Sequence, residues 1–311
     1  MKLVFFGSGD FALTSFAAMV SAGFAPTLVV TQPPRRRRRR GREEPTAVHR
    51  AAETAGIAVW APSGVNAEES LDVLRARGAE LFVVAEYGQI LSRAMLEIPA
   101  EGTINVHSSL LPRWRGATPI AAAILAGDAE TGVTIQRTVY ELDAGPVLAR
   151  TVVPLPADTT TGAFTPVLAR IGGELLVEVL RRFAAGDPPI EEAQEHDAAT
   201  FCRRLKPADA VIDWSAEAPH IERMVRAYHP KPGARTQLLR DPPLGLELRR
   251  ATVVAGAAPG GAVAAVDKAH FDVGTGNGLL RVLELVPAAR KPMEARAFIN
   301  GYRITAGERL G

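Results

Sequence analysis

Over its first 185 residues the chain alternates short apolar runs, many rich in β-branched residues, with longer amphipathic runs. This alternation predicts βα units that build a mainly parallel sheet. The predicted strands cover residues 3–6, 27–30, 58–60, 81–84, 103–106, 133–139 and 147–153. The predicted helices cover residues 10–22, 46–55, 68–77, 119–125 and 161–185.

The pattern changes after this region. Residues 186–206 carry prolines and acidic residues and few apolar ones, which is typical of a linker between domains. Residues 207–311 contain one helix, over 218–228, and short apolar segments separated by Gly and Pro, which favours a small β-barrel or sandwich. We therefore expect an α/β fold with a Rossmann-like sheet domain over 1–185, a linker over 186–206, and a β-barrel domain over 207–311.

The composition excludes several classes of protein. Apolar residues make up 47% and charged residues 23% of the chain, as in an ordinary globular protein. The single cysteine, Cys202, excludes a disulfide framework, and no apolar run approaches the roughly 18 residues that span a membrane. The six histidines show no metal-ligand spacing, so we expect no metal. The opening residues predict a strand rather than a signal peptide, so we expect a cytoplasmic protein.

One short segment is strongly basic. Its seven arginines are Arg35, Arg36, Arg37, Arg38, Arg39, Arg40 and Arg42. With Glu43 and Glu44 they give residues 35–44 a net charge of +5, so the rest of the chain, whose total is +2, carries −3. One interpretation is a solvated loop. The other is a loop that binds a polyanion, because it follows the second predicted strand, at the side where open α/β sheets place ligands.

A glycine turn follows the first predicted strand. Residues 7–12 read Gly-Ser-Gly-Asp-Phe-Ala and match the G-x-G-x-x-A form of the dinucleotide fingerprint. A dinucleotide site also needs an acidic residue about 20 positions further on. The second strand ends instead in Val30, Thr31 and Gln32, so we favour a tight βα turn and expect no nicotinamide nucleotide.

Three polar residues carry the candidate chemistry. Asn105 and His107 are two residues apart in a predicted strand, so their side chains point to the same side. Asp143 lies in a Leu-Asp-Ala-Gly-Pro turn. Taken singly, a strand histidine and a turn aspartate are usually structural. Together, an amide, an imidazole and a carboxylate suit an acyl transfer in which the substrate supplies the nucleophile.

Residues 107–117, His-Ser-Ser-Leu-Leu-Pro-Arg-Trp-Arg-Gly-Ala, resemble the signature loop of the folate-dependent formyltransferases. Supporting segments extend over nearly the whole chain: residues 5–12, 87–91, 142–146, 212–215, 221–232 and 297–301. The Trp-Arg-Gly variant of the loop, the basic segment and the C-terminal region make the tRNA branch of the family the best match. The resemblance implies a Rossmann-like catalytic domain and a C-terminal barrel of the oligonucleotide-binding type.

The resemblance also implies an activity. This is the transfer of a formyl group from 10-formyltetrahydrofolate to the α-amine of methionyl-initiator tRNA, with Asn105, His107 and Asp143 as catalytic residues. The implied folate contacts are Ser109, Leu110, Leu111 and Pro112, together with Tyr87, Gly88, Gln89, Ile90 and Leu91. The loop after the second strand enters the acceptor-stem end of the tRNA in this branch. We expect the enzyme to act as a monomer.

This sequence departs from the family pattern at two places. The basic loop of the family mixes Arg, Gly, Lys and Pro, whereas residues 35–40 form a compact arginine block. This difference leaves the basic character intact and the individual tRNA contacts open. Pro166 lies near the start of the long predicted helix, and we expect it to shift that start.

Rival functions share the same three residues. One is a formyltransferase that acts on an amino sugar nucleotide, and another is a hydrolase-type domain of folate metabolism. A third is an RNA-binding protein with a decayed enzyme fold. The arginine segment favours a tRNA over a sugar nucleotide, and the presence of Asn105, His107 and Asp143 argues against the loss of catalysis.

Overall fold

The computed structural model describes residues 1–36 and 43–311. The chain forms two compact units. The first consists of Met1–Pro119, Glu130–Pro154 and Thr165–Cys202. The second consists of Ile120–Ala129, Leu155–Phe164 and Arg203–Gly311.

Up to Cys202 the described chain contains eleven strands and six α-helices. The strands are β1 (Leu3–Gly7), β2 (Leu28–Val30), β3 (Arg35–Arg36), β4 (Glu43–Glu44), β5 (Val59–Trp60), β6 (Leu81–Ala85), β7 (Thr103–His107), β8 (Arg115–Gly116), β9 (Glu130–Arg137), β10 (Val147–Pro154) and β11 (Phe201–Cys202). The helices are α1 (Asp10–Ser21), α2 (Ala47–Thr54), α3 (Glu68–Arg77), α4 (Arg93–Leu96), α5 (Pro119–Ala126) and α6 (Thr161–Ala184).

Seven of these strands form one sheet in the order β10-β9-β7-β6-β1-β2-β5. The five strands from β5 to β7 are parallel to one another, and β9 and β10 continue the sheet antiparallel. The central strands are apolar throughout because both faces of the sheet are covered, and Phe5, Phe6 and Phe82 are completely buried. The carboxyl ends of β6 and β7 therefore meet at one edge, where the predicted site residues begin.

The second unit contains an antiparallel sheet. Its strands are β12 (Ala234–Leu238), β13 (Leu244–Val254), β14 (Val263–Val266), β15 (Phe271–Gly274), β16 (Leu279–Pro287) and β17 (Met293–Glu294). The helices α7 (Ala218–Ala227) and α8 (Ala295–Tyr302) belong to the same unit. A Rossmann-like, mainly parallel sheet domain followed by an antiparallel sheet domain confirms the predicted fold class.

The compact units differ from the predicted domains at residues 186–206. Residues up to Cys202 pack with the first unit, because β11 pairs in parallel with β8 and Glu192 exchanges two backbone hydrogen bonds with Val147. Residues 120–129 and 155–164, within the predicted first domain, pack with the second unit. A polar, proline-containing sequence looks like a linker, but here its backbone groups pair with neighbouring strands.

The expectation for Pro166 was wrong. Helix α6 begins at Thr161, as the sequence pattern indicates, and Pro166 lies inside the helix instead of shifting its start. Inside a helix, proline removes one backbone hydrogen bond and its ring crowds the carbonyl of residue i−4, here Gly162, yet α6 continues through this position.

The glycine turn after β1 has a different use from the one its fingerprint suggests. The Glu86 carboxylate, at the end of β6, accepts a hydrogen bond from the Phe11 amide at 3.1 Å, at the N-terminus of α1. A Cβ atom on Gly9 would lie 1.9 Å from this carboxylate, so the glycine makes room for it. Glu86 as a whole residue is exposed, but its carboxyl group is packed against the protein and poorly hydrated. This desolvation raises the pKa of Glu86. A carboxyl group of the chain itself thus occupies the position at which a helix N-terminus binds phosphate.

Within the part of the chain that the structure describes, no helix combines the length and apolar character needed to cross a membrane.

The phenylalanine cluster of the first unit makes a test of the packing. The Phe82 ring lies 5.1 Å from the Phe6 ring and is completely buried, whereas Phe201 is 64% exposed. We expect Phe82→Ala to lower the free energy of unfolding by about 3–5 kcal/mol, because it leaves a cavity in a close-packed core. The matched Phe201→Ala change should lower the free energy of unfolding by no more than about 0.5 kcal/mol, because this side chain is exposed. Urea denaturation measures both values, and equal losses would contradict the packing described.

Candidate active site

Three predicted side chains meet at the carboxyl end of β7. Asn105 and His107 lie on one side of β7, and Asp143 lies in the turn between β9 and β10. The Asn105 amide nitrogen Nδ2 is 3.5 Å from Asp143 Oδ1, and His107 Nδ1 is 3.8 Å from Asp143 Oδ2. The structure thus brings together the amide, the imidazole and the carboxylate from two separate parts of the chain.

The His107 ring is held between two oxygen atoms. Its side chain is 6% exposed, and its Nε2 lies 3.0 Å from the carbonyl oxygen of Trp114. A carbonyl oxygen only accepts hydrogen bonds, so Nε2 donates in the ring orientation described. Nδ1 then faces the Asp143 carboxylate. The ring can therefore take up a proton on Nδ1 while its orientation is fixed through Nε2.

The Asp143 carboxylate accepts further hydrogen bonds from the protein. Oδ2 accepts from the Gly116 amide at 2.8 Å, and Oδ1 accepts from Gln136 Nε2 at 3.0 Å. Gln136 is in register with Asn105 in the antiparallel pairing of β9 with β7, so both side chains lie on the same face. Asp143 itself has a φ of 48°, in the left-handed region that aspartate tolerates better than most residues. The carboxylate is thus oriented from several sides.

A buried glutamine joins this turn to the signature loop. Gln194 is 7% exposed, and its Nε2 lies 2.9 Å from the Asp143 carbonyl oxygen and 2.6 Å from that of Gly145. Its Oε1 accepts from Arg115 Nη2 at 2.7 Å and from Nε at 3.1 Å. Arg115 is 4% exposed; burial lowers the pKa of its guanidinium, and nearby Asp143 opposes this shift.

Sequence reasoning missed Gln136 and Gln194, two residues that hydrogen-bond Asp143. Gln136 could have been found, since it alternates with buried apolar residues in a strand that pairs with β7. Gln194 has no such signal, because it stands in a polar segment whose pairing depends on the folded backbone.

The signature loop is fixed by two threonines. Thr134 Oγ1 donates to the Ser109 carbonyl oxygen at 2.7 Å and accepts from the Leu111 amide at 3.2 Å. The Trp114 amide donates to Thr200 Oγ1 at 2.8 Å. Ser109 and Leu111 are buried, whereas Leu110 and Pro112 are half-buried. Within the predicted folate segment, therefore, Leu110 and Pro112 offer the accessible side-chain surface.

The second predicted folate segment follows β6. Tyr87 and Leu91 turn their side chains into the core, whereas Gly88 is exposed and Ile90 is 72% exposed. Burial raises the pKa of Tyr87. Gln89 uses its side-chain oxygen to accept a hydrogen bond from a backbone amide at 3.0 Å. The segment lies after β6, beside the strand that carries Asn105 and His107, but only part of it faces outward.

The predicted tRNA-binding residues are described in part. Strand β3 pairs antiparallel with β4, with Arg35 opposite Glu44 and Arg36 opposite Glu43. The remaining members of the set, Arg37, Arg38, Arg39, Arg40 and Arg42, lie outside the described residues. Among the described residues, no group of three or more His, Cys, Asp or Glu side chains could hold a metal ion.

Comparison with known proteins identifies relatives over the full length. The family described as "Formyl transferase" matches residues 1–180, and "Formyl transferase, C-terminal domain" matches residues 204–303. A protein named methionyl-tRNA formyltransferase from Symbiobacterium thermophilum is 42% identical over 314 residues, covering 100% of this chain and 95% of its own length. One of the same name from Halorhodospira halophila is 43% identical over 307 residues, covering 99% and 98%.

Solved structures share the fold at lower identity. WlaRD, a sugar 3N-formyl transferase crystallised with dTDP and 5-N-formyl-THF, has a TM-score of 0.66 at 14% identity over 94% of this chain and 99% of its own. HypX from Aquifex aeolicus, solved in complex with tetrahydrofolic acid, has a TM-score of 0.62 at 15% identity over 98% of this chain. This chain matches 48% of the length of HypX.

Proposed function

The chain belongs to the formyl transferase family, and we propose that it transfers a formyl group from 10-formyltetrahydrofolate to the α-amine of methionyl-initiator tRNA. The observation that carries this proposal is an identity of 42–43%, over essentially the whole chain, with relatives named methionyl-tRNA formyltransferase. The product, N-formylmethionyl-tRNA, serves translation initiation. The juxtaposition of Asn105, His107 and Asp143 supplies the groups that this chemistry needs.

The reaction forms one bond and breaks another. The neutral α-amine attacks the formyl carbon, the C–N bond to N10 of the folate breaks, and N10 takes up a proton while the amine loses one. The ordinary pKa of an α-amine is about 8, so deprotonation before attack is a modest task. During attack the formyl oxygen gains negative charge, which the protein must stabilise.

Asn105 suits the stabilisation of that oxygen. One N–H of its amide is directed toward Asp143, and the amide carries a second N–H that can donate to the formyl oxygen. A single well-placed donor to such an oxygen contributes about 3 kcal/mol. His107 and Asp143 lie 3.8 Å apart and together provide sites for the proton that leaves the amine and returns to N10.

The folate and tRNA sites extend this proposal beyond the catalytic set. The folate site would be formed by two segments of the chain. They are the loop residues Ser109, Leu110, Leu111 and Pro112 and the segment Tyr87, Gly88, Gln89, Ile90 and Leu91. In the first of these, the accessible surfaces of Leu110 and Pro112 support an apolar contact. The arginines from Arg35 to Arg42 would bind the acceptor-stem end of the tRNA, where unpaired bases are readable.

We also propose that the enzyme acts as a monomer in the cytoplasm. Both site segments and all three catalytic residues come from one chain, and translation initiation takes place in the cytoplasm.

The activity itself is the first test. We expect the protein, given 10-formyltetrahydrofolate, to formylate methionyl-initiator tRNA much faster than methionyl-elongator tRNA. Acid precipitation of formyl-labelled aminoacyl-tRNA measures both rates. Transfer to an amino sugar nucleotide, with none to the tRNA, would replace the proposed acceptor.

The catalytic assignment predicts a separation of turnover from binding. We expect Asn105→Ala and His107→Ala each to lower kcat by about 10²–10³-fold, because each removes a group that acts on the reacting atoms. The dissociation constant for the tRNA should change less than about threefold. Filter binding and single-turnover kinetics give the two values, with Asn300→Ala, an exposed residue of α8, as the matched control. Equal losses in turnover and affinity would refute the assignment.

The arginine segment predicts a change in salt dependence. Replacing Arg35 through Arg40 with serine should weaken tRNA binding and flatten the plot of log affinity against log salt, by roughly 0.7–0.9 for each phosphate that the protein no longer neutralises. The matched replacement with lysine should keep most of the slope, because it keeps the charge. Folate affinity should not change in either variant. An unaltered tRNA affinity in the serine variant would contradict the role of the segment.

A further inference from the structure

We propose that Gln194 is a positioning residue that orients the Asp143 turn and links it to the signature loop at Arg115 and Gly116. This inference rests on the proposed function, because its consequence is a loss of formyl transfer. Gln194 stands in the segment between α6 and β11, well separated in sequence from the strand β7 that carries Asn105 and His107.

The amide group of Gln194 holds the backbone of the turn. Its Nε2 is within 2.9 Å of the carbonyl oxygens of both Asp143 and Gly145, the residues on either side of Ala144. Asp143 has a φ of 48°, a conformation that a non-glycine residue keeps only when its surroundings impose it. Two hydrogen bonds from one buried side chain supply such a restraint.

The same amide also reaches the Asp143 carboxylate through a neighbour. Gln194 Nε2 also lies 3.1 Å from Gln136 Oε1, so its two N–H groups are shared among three acceptor oxygens, and Gln136 Nε2 donates to Asp143 Oδ1 at 3.0 Å. Oε1 of an amide only accepts and Nε2 only donates, so the bond to Gln194 fixes which way the Gln136 amide faces. With the Gln136 amide reversed, an oxygen would face the carboxylate oxygen.

The oxygen of Gln194 joins this turn to the loop on the other side of the site. Arg115 donates to Gln194 Oε1 through Nε and Nη2, and the next residue, Gly116, donates its amide to Asp143 Oδ2. Together with the covalent link between the neighbouring residues Arg115 and Gly116, the hydrogen bonds close a ring: Asp143, Gln136, Gln194, Arg115, Gly116 and back to Asp143. All three side chains between Asp143 and Gly116 are less than 8% exposed, so water does not readily replace a missing partner.

The ring predicts a particular kinetic defect. Gln194→Ala removes every bond of the side chain, and Gln194→Glu keeps the shape and the acceptor for Arg115 while removing the donor to the turn. We expect each variant to lower kcat by about 10–100-fold, because a carboxylate displaced by about 1 Å no longer meets the reacting groups. The KM values for 10-formyltetrahydrofolate and methionyl-tRNA should change less than about threefold. Gln237→Ala, at an exposed residue of β12, is the matched control.

A double-mutant cycle separates positioning from general structural support. If Gln194 acts through the Asp143 carboxylate, Gln194→Glu should lower the single-turnover rate less than about threefold when Asp143→Asn is already present. The effects of substitutions at residues that act as a unit are not additive. Single-turnover rates of the full-length chain measure all four proteins. Additive losses, parallel increases in both KM values, or full activity of Gln194→Glu would each overturn the proposal. An inactive parent enzyme would refute the proposed function instead.

Discussion

In an antiparallel pair, residues opposite one another share a face, and the pairing of β7 with β9 applies this rule to the proposed catalytic residues. Asn105 is opposite Gln136, and His107 is opposite Thr134. One pairing therefore places a donor to the Asp143 carboxylate beside Asn105 and places the threonine that fixes the signature loop beside His107. A shift of β9 by one residue in this register would turn Gln136 and Thr134 to the other face of the sheet, away from Asn105 and His107.

Local patterns were sufficient to predict much of this arrangement. Apolar runs predicted the strands, and the observed helix α3 has the predicted bounds, residues 68–77. Period-two alternation placed Asn105 and His107 together. The turn sequence offered Asp143 as the carboxylate, and the family resemblance grouped it with Asn105 and His107. What the sequence could not provide was the ring of hydrogen bonds, since its members lie as far apart in the sequence as Arg115 and Gln194 and meet only in the folded chain.

The glycine turn shows how one local motif supports different chemistry. The turn after β1 has the glycine pattern of nucleotide-binding folds, and α1 begins where the fingerprint requires. Glu86, the residue after β6, decides the outcome because its carboxyl group accepts a hydrogen bond at the helix N-terminus. A nucleotide phosphate at this point would meet a negative charge. The residues proposed for catalysis lie instead at the end of β7.

The placement of Gln194 and Thr200 also bears on where a catalytic module of this kind can be cut or exchanged. A boundary drawn at residue 185, where the hydropathy pattern changes, separates both residues from the loop and turn that they bind. A boundary after Cys202 keeps them. In chimeras that combine the catalytic part of one formyltransferase with the C-terminal part of another, the junction after Cys202 is the one that transfers the complete hydrogen-bonded frame as a unit.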